Sequence, residues 1–390
     1  MKVLYVTGLF RKKSCSASIR NVALVNGLQE SGCDVSVLTV KFPIEVLDTY
    51  LVESVNKSVK IIEVDAGYIS KYIPSIYSVN KKSSNVFFLK KLIKNIIYFP
   101  GIDKGWIKSI SPMDYVNFDY IISSSDTKTS HFVAEKIQKD NPRKWLQIWG
   151  DPWADDVGID NFILKYRAFK AENKLLKSGQ IISYVSRPTA NAIALKFPNL
   201  IDNIEYIPRN FFRSVERIPR QENVFRISYT GVMNGRDIVP ILGALKIYNA
   251  QQKLRVTLDV YGRVTSEQHV LLENSPYATF NGEVSLEKVF EVFEASDALL
   301  YLGNAAGSSQ IPGKLYDYFG TNLPILALVQ NMHDEVTKFI LESERCVVNE
   351  NKVEAISINH LIKRRNKYEV LHQYSPRTVA LRVIDLLKAK

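Results

Sequence analysis

The sequence predicts an α/β protein made of two doubly wound domains, and three observations support this prediction. Strand-like and helix-like segments alternate from the first residue onward, the alternation stops once near residues 211–223 and then restarts, and the chain has 390 residues. Alternating β and α segments are typical of a parallel sheet covered by helices. The length exceeds what one hydrophobic core usually organises, so two domains of ordinary size are expected.

The first half of the chain begins with a β-α-β unit. Short apolar runs bounded by turn residues predict strands, and apolar residues spaced three and four apart predict helices. Strands are expected at 3–6, 34–40, 61–64, 119–123, 145–149, 180–185 and 204–207, and helices near 16–31, 129–138, 161–178 and 188–196.

The second half starts a new series after the interruption, which carries three arginines and a proline within 213–220. Strands are expected at 225–229, 254–261, 278–280, 298–302, 324–329 and 346–348. We therefore predict a first domain over 1–211, a second over 212–370, and a C-terminal helix over 371–390 that crosses back to the first. Ligands bind at the carboxyl ends of strands in such folds, so an active site is expected in a cleft that the two domains face.

Composition limits the class of function. The chain is 46% hydrophobic and 23% charged, as in globular proteins, and its net charge of +11 favours an anionic partner such as a nucleotide, a nucleic acid or an acidic lipid surface. The three cysteines lack metal-ligand spacing, which indicates a reducing compartment. No run is long enough for a membrane span and the first ten residues do not form a signal peptide. A cytoplasmic protein is expected, with or without attachment to the inner face of the membrane.

The most informative stretch is 310–329, which reads QIPGKLYDYFGTNLPILALV. Pro312 and Gly313 predict the start of a short helix, and the apolar run after it predicts a strand buried on both faces. Gly313 and Lys314 at such a helix start would hold an anion such as phosphate, and Asp317 one turn later would accept hydrogen bonds from sugar hydroxyls. The same residues also fit an ordinary crossover helix with a solvated lysine.

Over nearly its full length the chain resembles the two-Rossmann-domain glycosyltransferases of the GT-B type, and family 4 in particular. That family marks its donor site with Pro-Ser-Lys-Leu-(Phe/Tyr)-Glu-Tyr followed by Gly-x-Pro, and residues 312–318, PGKLYDY, with Pro324 resemble it. Other similar segments occur in the family's order: the first turn at Gly8 with Arg20, IPRN at 207–210, YTG at 229–231, YGR at 261–263 and NGEV at 281–284.

The resemblance implies transfer of a sugar, with retention of configuration, from a nucleotide-diphosphate sugar to a hydroxyl of a glycan, such as a lipid-linked intermediate of a surface polysaccharide. It implies acceptor binding by Gly8 and Arg20. No metal or other cofactor is expected, because Arg236, Lys314 and backbone N–H groups would neutralise the leaving diphosphate. The implied donor-binding residues are Gly231, Arg236, Arg263, Val284, Ser309, Gly313, Lys314, Leu315 and Asp317.

The chain departs from the family at one paired feature. The family often carries two glutamates eight positions apart, and here these positions hold Ser309 and Asp317. Asp317 can still reach a ribose with a small helix shift or a bridging water, whereas Ser309 carries no charge, so the donor sugar does not follow from the resemblance. Two alternatives stay open: a nucleotide-sugar 2-epimerase of the same fold, and a catalytically inactive subunit for glycan assembly. Nucleic-acid binding is not expected, because the basic residues are dispersed.

A second candidate site follows the strand at 145–149, where a loop rich in carboxylates begins with Asp151. A carboxylate at a strand end can orient an acceptor hydroxyl or take its proton, so Asp151 is the predicted catalytic residue. The alternative is that its Asp-Pro pair only makes a turn or caps a helix. His131, Glu172 and Ser186 are further candidates, each of which also fits a structural role.

Residues 81–106 interleave lysines with aromatic and aliphatic residues, and a helix is expected near 85–99. A basic, aromatic-rich amphipathic helix is typical of segments that lie in an anionic membrane interface. The alternative is a helix packed on the sheet with its lysines in water.

Overall fold

The computed structural model describes residues 1–67, 97–156, 159, 161–217, 223–303 and 310–389. Contacts between Cα atoms divide the chain into two compact units, Met1–Phe212 with Pro376–Lys390 (unit 1) and Arg213–Ser375 (unit 2). Each unit contains one parallel sheet with helical crossovers between its strands. The predicted fold class, two doubly wound Rossmann-like domains, is confirmed.

Unit 1 contains a seven-stranded sheet in the order β3-β2-β1-β4-β5-β6-β7. Its strands are β1 Lys2–Thr7, β2 Asp34–Val40, β3 Lys60–Val64, β4 Tyr120–Ser124, β5 Lys144–Trp149, β6 Ile181–Tyr184 and β7 Ile204–Tyr206. Its α-helices up to β7 are α1 Ser16–Glu30, α2 Thr49–Ser54, α3 Gly105–Ser109, α4 Thr129–Asp140, α5 Phe162–Ser178 and α6 Arg187–Lys196. The chain leaves β1 toward one edge and returns to β4 on its other side, so the strand order reverses between β1 and β4.

Unit 2 contains a six-stranded sheet in the order β10-β9-β8-β11-β12-β13, which reverses between β8 and β11. Its strands are β8 Val224–Thr230, β9 Arg255–Tyr261, β10 Ala278–Phe280, β11 Ala298–Leu302, β12 Ile325–Val329 and β13 Cys346–Glu350. Its α-helices are α7 Val239–Gln251, α8 Ser266–Glu273, α9 Leu286–Ala295, α10 Gly313–Phe319, α11 Glu335–Glu342 and α12 Ile358–Lys363. The C-terminal helix α13, Pro376–Ala389, belongs to unit 1.

Helix α13 packs closely on α1. A Cβ atom at Gly27 of α1 would lie 2.3 Å from the backbone oxygen of Pro376, so only glycine allows this approach. The buried residues Val379, Ala380 and Val383 form the inner face of α13.

Unit 2 has a buried ionic cluster at the amino end of β11. Asp297, which has no exposed surface, forms ion pairs with Arg217 and Arg365 and accepts a hydrogen bond from the Arg226 N–H at 2.9 Å. One carboxylate therefore joins the start of the unit, its first strand and the segment that follows α12.

The predicted membrane segment lies mostly outside the described residues, which resume at 97. Trp106, at its far end, is fully buried in the core of unit 1, and the Phe99 ring stacks on Trp153 with 5.1 Å between centroids. Trp106 therefore does not contribute to a membrane surface. Among the described residues no helix combines the length and the hydropathy needed to cross a bilayer.

Candidate functional site

Unit 2 forms a site where its strand order reverses, between the carboxyl ends of β8 and β11. Arg236, in the loop after β8, donates from Nε to the backbone oxygen of Leu302 at 3.0 Å and from a terminal nitrogen to that of Val232 at 2.8 Å. The guanidinium group therefore bridges the two strand ends. Crevices at such reversals are the usual ligand sites of open α/β sheets.

Lys314, in the first turn of α10, extends to the same place. Its Nζ lies 3.8 Å from the centroid of the Tyr229 ring, and this nitrogen is buried although the residue as a whole is half-buried. No described residue accepts a hydrogen bond from Nζ. The aromatic face stabilises the cation, but it does not replace a hydrogen-bond acceptor.

Two glycines with positive φ lie beside the Lys314 ammonium. Gly231 has φ of +107°, and a Cβ atom there would lie 3.2 Å from Nζ. A second glycine, Gly262 after β9, has φ of +128°, and its Cβ atom would lie 2.2 Å from the backbone oxygen of Gly231. Both positions favour glycine, which lets the turns after β8 and β9 pack against each other beside the Lys314 ammonium.

Electrostatics at this point favour an anion. Burial lowers the pKa of Lys314 well below its usual value, and the nearby positive charge of Arg236 lowers it further. A buried cation without an acceptor costs free energy, and an anion bound between Lys314 and Arg236 would remove that cost. The geometry therefore suits a phosphate or diphosphate group.

Three more of the predicted donor residues lie on α10. Gly313 begins α10 and Asp317 is half-buried on it, whereas Leu315 is fully buried and donates its N–H to the Pro312 oxygen at 3.0 Å. Leu315 therefore holds the helix in place.

Two more predicted donor residues follow neighbouring strands. Arg263 follows β9, is exposed and pairs with Glu283 at 3.3 Å, and Val284 is half-buried in the loop after β10. Ser309 lies outside the described residues. From separate parts of the chain, the fold brings Gly231, Arg236 and Lys314 of the predicted donor set together.

Unit 1 has its own polar centre where the order reverses between β1 and β4. The buried Asn21 of α1 accepts hydrogen bonds from the Tyr5 hydroxyl at 2.9 Å and the Ser124 hydroxyl at 2.8 Å, and donates to the Thr7 hydroxyl at 2.7 Å. One amide thus connects the two strands at the point of reversal.

The predicted acceptor residues Gly8 and Arg20 lie at this centre. Arg20 is buried and donates to the Ser124 hydroxyl at 3.3 Å and to the backbone oxygen of Ser125, so its described contacts fix the end of β4. A Cβ atom at Gly8 would lie 2.3 Å from Thr127 Oγ1. Glycine is therefore required where the turn after β1 approaches the loop after β4.

Asp151 follows β5 beside a second carboxylate and a lysine. Lys128 donates from Nζ to Asp126 Oδ1 at 3.0 Å and to the backbone oxygen of Asp151 at 3.2 Å. Burial raises the pKa of Asp151, the negative charge of Asp126 adds to this, and Lys128 opposes it. Burial also disfavours ionised Asp126, but the charges of Lys128 and Arg20 and the Lys128 hydrogen bond outweigh burial and lower its pKa.

The two carboxyl groups are thus driven apart in acidity, which is the usual arrangement when one of a pair transfers a proton. The raised pKa makes Asp151 the better proton acceptor of the two, and the lowered pKa of Asp126 suits a constant negative charge. Sequence reasoning missed Asp126 and Lys128, although their position directly after the predicted strand at 119–123 was a usable signal. Within the described ranges, no group of three or more His, Cys, Asp or Glu side chains is placed to hold a metal ion.

Glu172 supports the loop that carries Asp151. Its buried carboxylate accepts hydrogen bonds from the Trp153 N–H at 2.8 Å and the Ala154 N–H at 3.2 Å. Burial raises the pKa of Glu172, and these two hydrogen bonds oppose that rise. Its described contacts indicate a role in positioning the loop.

Ser186 and His131 also have internal partners. Ser186 caps α6 by accepting from the Thr189 N–H at 3.4 Å. His131 is fully buried, bonds through Nδ1 to the Ser123 hydroxyl at 2.7 Å and stacks on Trp149 with 4.1 Å between centroids. Burial lowers the pKa of His131 well below its usual value, so the ring is neutral at physiological pH.

Comparisons with known proteins bear on the fold. No protein-family model matches the sequence, and no curated protein matches it. Solved structures match over the full chain. Sucrose-phosphate synthase from Thermosynechococcus elongatus has a TM-score of 0.57 and 13% identity and is covered over 94% of its length. A glycosyltransferase from Rickettsia africae ESF-5 has a TM-score of 0.57 and 15% identity, with 98% covered.

The same fold also appears in a protein of another activity. The UDP-GlcNAc 2-epimerase from Methanocaldococcus jannaschii has a TM-score of 0.57 and 9% identity, with 100% of each chain covered. At these identities the likeness shows the fold alone. The chain has the GT-B fold, and its chemistry must be argued from its own residues.

Proposed function

We propose that the chain is a glycosyltransferase that moves a sugar from a nucleotide-diphosphate sugar to a hydroxyl of a glycan acceptor. The observation that carries this proposal is the buried Lys314 ammonium, which has no acceptor among the described residues and lies beside Arg236 at the strand reversal of unit 2. The GT-B fold supports the proposal, because its two domains provide one region for a donor and another for an acceptor.

Lys314 and Arg236 fit the leaving group of this reaction. When the bond between the sugar and the diphosphate breaks, negative charge develops on the diphosphate oxygens. Cations already fixed in a buried site stabilise that charge more strongly than water does, so they act chiefly on the transition state. In this proposal the two side chains neutralise the leaving diphosphate without a metal ion, and Asp317 contacts the ribose.

Asp151 of unit 1 acts on the acceptor. Its carboxylate accepts the proton of the attacking hydroxyl. Burial raises its pKa, and the charges of Lys128 and Asp126 lower and raise that pKa in turn. We further propose that the acceptor is a lipid-linked polysaccharide intermediate in the cytoplasm. Its hydroxyl attacks the sugar on the face from which the diphosphate leaves, so that the anomeric configuration is retained. NMR of the product anomer tests the last point.

Replacing Lys314 by Met is expected to weaken nucleotide binding. A charge-assisted contact to phosphate contributes about 1.5–3 kcal/mol, so the Kd should rise about 10- to 100-fold. Thermal-shift screening of nucleoside diphosphates identifies the base, and calorimetry then measures the Kd. Lys338→Met is the control, because Lys338 is an exposed lysine of unit 2 that pairs only with Glu335 in the described contacts. An unchanged Kd in Lys314→Met would contradict the proposed diphosphate site.

Nucleotide binding is also expected to take up a proton. Burial and Arg236 lower the pKa of Lys314 in the free protein, and a bound diphosphate would raise it again. Between these two pKa values the free protein must gain a proton to bind, so affinity falls as pH rises. Calorimetry in buffers of different ionisation enthalpy, above about pH 8 where a phosphate with a second pKa of about 6 is ionised, measures the uptake. The Lys314→Arg side chain stays charged at all these pH values, so this variant should show no proton uptake on binding. Equal uptake in both proteins would assign the proton to another group.

Product analysis separates the glycosyltransferase from the two alternatives. The protein is incubated with the nucleotide sugar whose nucleotide binds most tightly, with and without glycan acceptors. Released nucleoside diphosphate and a glycosylated acceptor support the proposal. An epimerised nucleotide sugar without transfer would indicate the chemistry of the Methanocaldococcus jannaschii neighbour, and tight binding with neither product would indicate an inactive subunit.

A further inference from the structure

Helix α5 of unit 1 exposes an apolar tip at its amino end. Phe162 is 80% exposed, Ile163 53% and Tyr166 50%, so three large apolar side chains within five residues face solvent. The tip is held in place, since the Asn161 side chain caps the helix by accepting from the Ile163 and Leu164 N–H groups at 2.9 and 3.2 Å. Single exposed apolar residues are common, but a contiguous group of this kind marks an interaction surface.

The inner face of α5 already has its own partners. Leu164, Ala168, Leu175 and Leu176 are buried in the core of unit 1. The exposed tip is therefore additional to the apolar surface that attaches the helix, and packing of the described residues does not account for it.

The exposed face of α5 changes from apolar to basic along its length. Phe162, Tyr166, Lys170 and Lys177 follow one another at intervals of four and seven residues, which places them on one side of a helix. The Lys170 ammonium lies 4.7 Å from the centroid of the Tyr166 ring. A residue series of this kind matches the order of a bilayer interface, with acyl chains below and charged headgroups above.

The charges around the tip select an anionic partner. Helix α5 contains five basic residues, and its one acidic residue, Glu172, faces inward to the N–H groups of Trp153 and Ala154. At the tip, Asp155 forms ion pairs with Lys165 at 3.5 Å and with Lys196 of α6 at 2.6 Å. One carboxylate therefore faces two ammonium groups. Lys174 pairs with Glu135 at 3.0 Å, and Asp156 lies before the tip, so the excess positive charge of α5 rests on Lys170 and Lys177. These two lysines and the aromatic tip complement anionic lipid headgroups.

We propose that the amino end of α5 docks the protein on a bilayer that contains anionic lipid, with Phe162, Ile163 and Tyr166 inserted among the acyl chains and Lys170 and Lys177 at the headgroups. Because Glu172 of the same helix holds the loop after Asp151, docking places the acceptor region of unit 1 close to the lipid surface. The inference does not depend on glycosyl transfer.

Co-sedimentation with vesicles tests this docking. The full chain is mixed with phosphatidylcholine vesicles, with or without phosphatidylglycerol, at low and high salt. Phe162→Ser with Tyr166→Ser should lower the partition coefficient about tenfold or more, because it removes apolar insertion, and leave a weak salt-sensitive remainder. Lys170→Gln with Lys177→Gln should lower it about tenfold or more at low salt and abolish most of the salt dependence.

The matched control lies on α7 of unit 2, where Lys246 and Ile247 are adjacent and exposed. Lys246→Gln with Ile247→Ser should bind vesicles like the wild type. All substituted positions are exposed, and circular dichroism and nucleotide binding should be unchanged in every variant. The inference is overturned if the wild type ignores anionic vesicles at low salt, or if the Phe162/Tyr166 variant binds as tightly as the wild type. The latter result would direct attention to residues 81–96.

Discussion

Asp151→Asn should lower kcat by about 100- to 10,000-fold, the usual contribution of a positioned proton-transfer group. The amide has the shape of the carboxylate but does not accept a proton. The loop keeps its support from Glu172, whose hydrogen bonds go to the N–H groups of Trp153 and Ala154. Nucleotide affinity should remain, because the proposed diphosphate site uses Lys314 and Arg236 of unit 2. Steady-state kinetics and calorimetry on the same variant measure the two effects, and full turnover would exclude Asp151 as the base.

The pH profile shows whether Asp151 acts as a base or only as a structural residue. Burial raises the pKa of this carboxyl group, so activity that depends on its ionised form is present above the raised pKa and is lost as pH falls through it. The midpoint of the acid limb of the pH–activity profile should therefore lie above the usual aspartate pKa of about 4. Lys128→Met removes the charge that opposes this rise and should move the limb to higher pH. The residual activity of Asp151→Asn should lack the limb.

Strands and helices were predictable from the sequence because their signals are local. The run at 324–329 was expected to be buried on both faces, and every residue of β12, Ile325–Val329, is buried. The helix expected after Pro312 is α10, which begins at Gly313. Most boundaries differ by a residue or two, since the last residue of an element depends on hydrogen bonds to its neighbours. The C-terminal helix, predicted from 371, begins at Pro376. Pro324, for example, lies just before β12, although its backbone oxygen accepts a hydrogen bond from the Leu299 N–H of β11.

The electrostatic detail of the site was not predictable from the sequence. Lys314 was identified, but its position over Tyr229, 85 residues earlier in the chain, arises only when β8 and α10 meet. The Asp126–Lys128 pair acts on Asp151 because β4 and β5 are neighbours in the sheet. Such pairings depend on strand order, which a single sequence specifies only through the folded structure. The pKa values that separate a base from a permanent charge depend on burial in the same way.

The buried carboxylate of Asp297 was not singled out by any motif, yet its loss should affect stability more than any other single change considered. Asp297→Asn leaves Arg217 and Arg365 without the charge that each now contacts. Removing one partner of a buried ion pair costs about 3–5 kcal/mol, because the charge of the buried Arg217 loses its counter-ion. Domains are stable by only about 5–15 kcal/mol, so this substitution should remove a large part of the stability of unit 2.

Urea denaturation, with nucleotide binding as a second readout for unit 2, measures this loss. Glu335→Gln is the control: it breaks an exposed pair with Lys338 and should change the free energy of unfolding by less than about 1 kcal/mol. A triple variant, Arg217→Met with Asp297→Leu and Arg365→Met, removes all three charges together and should be more stable than Asp297→Asn alone, since no buried charge is left unpaired. If Asp297→Asn unfolds at the same urea concentration as the wild type, the two arginines have other acceptors and the carboxylate does not hold unit 2 together.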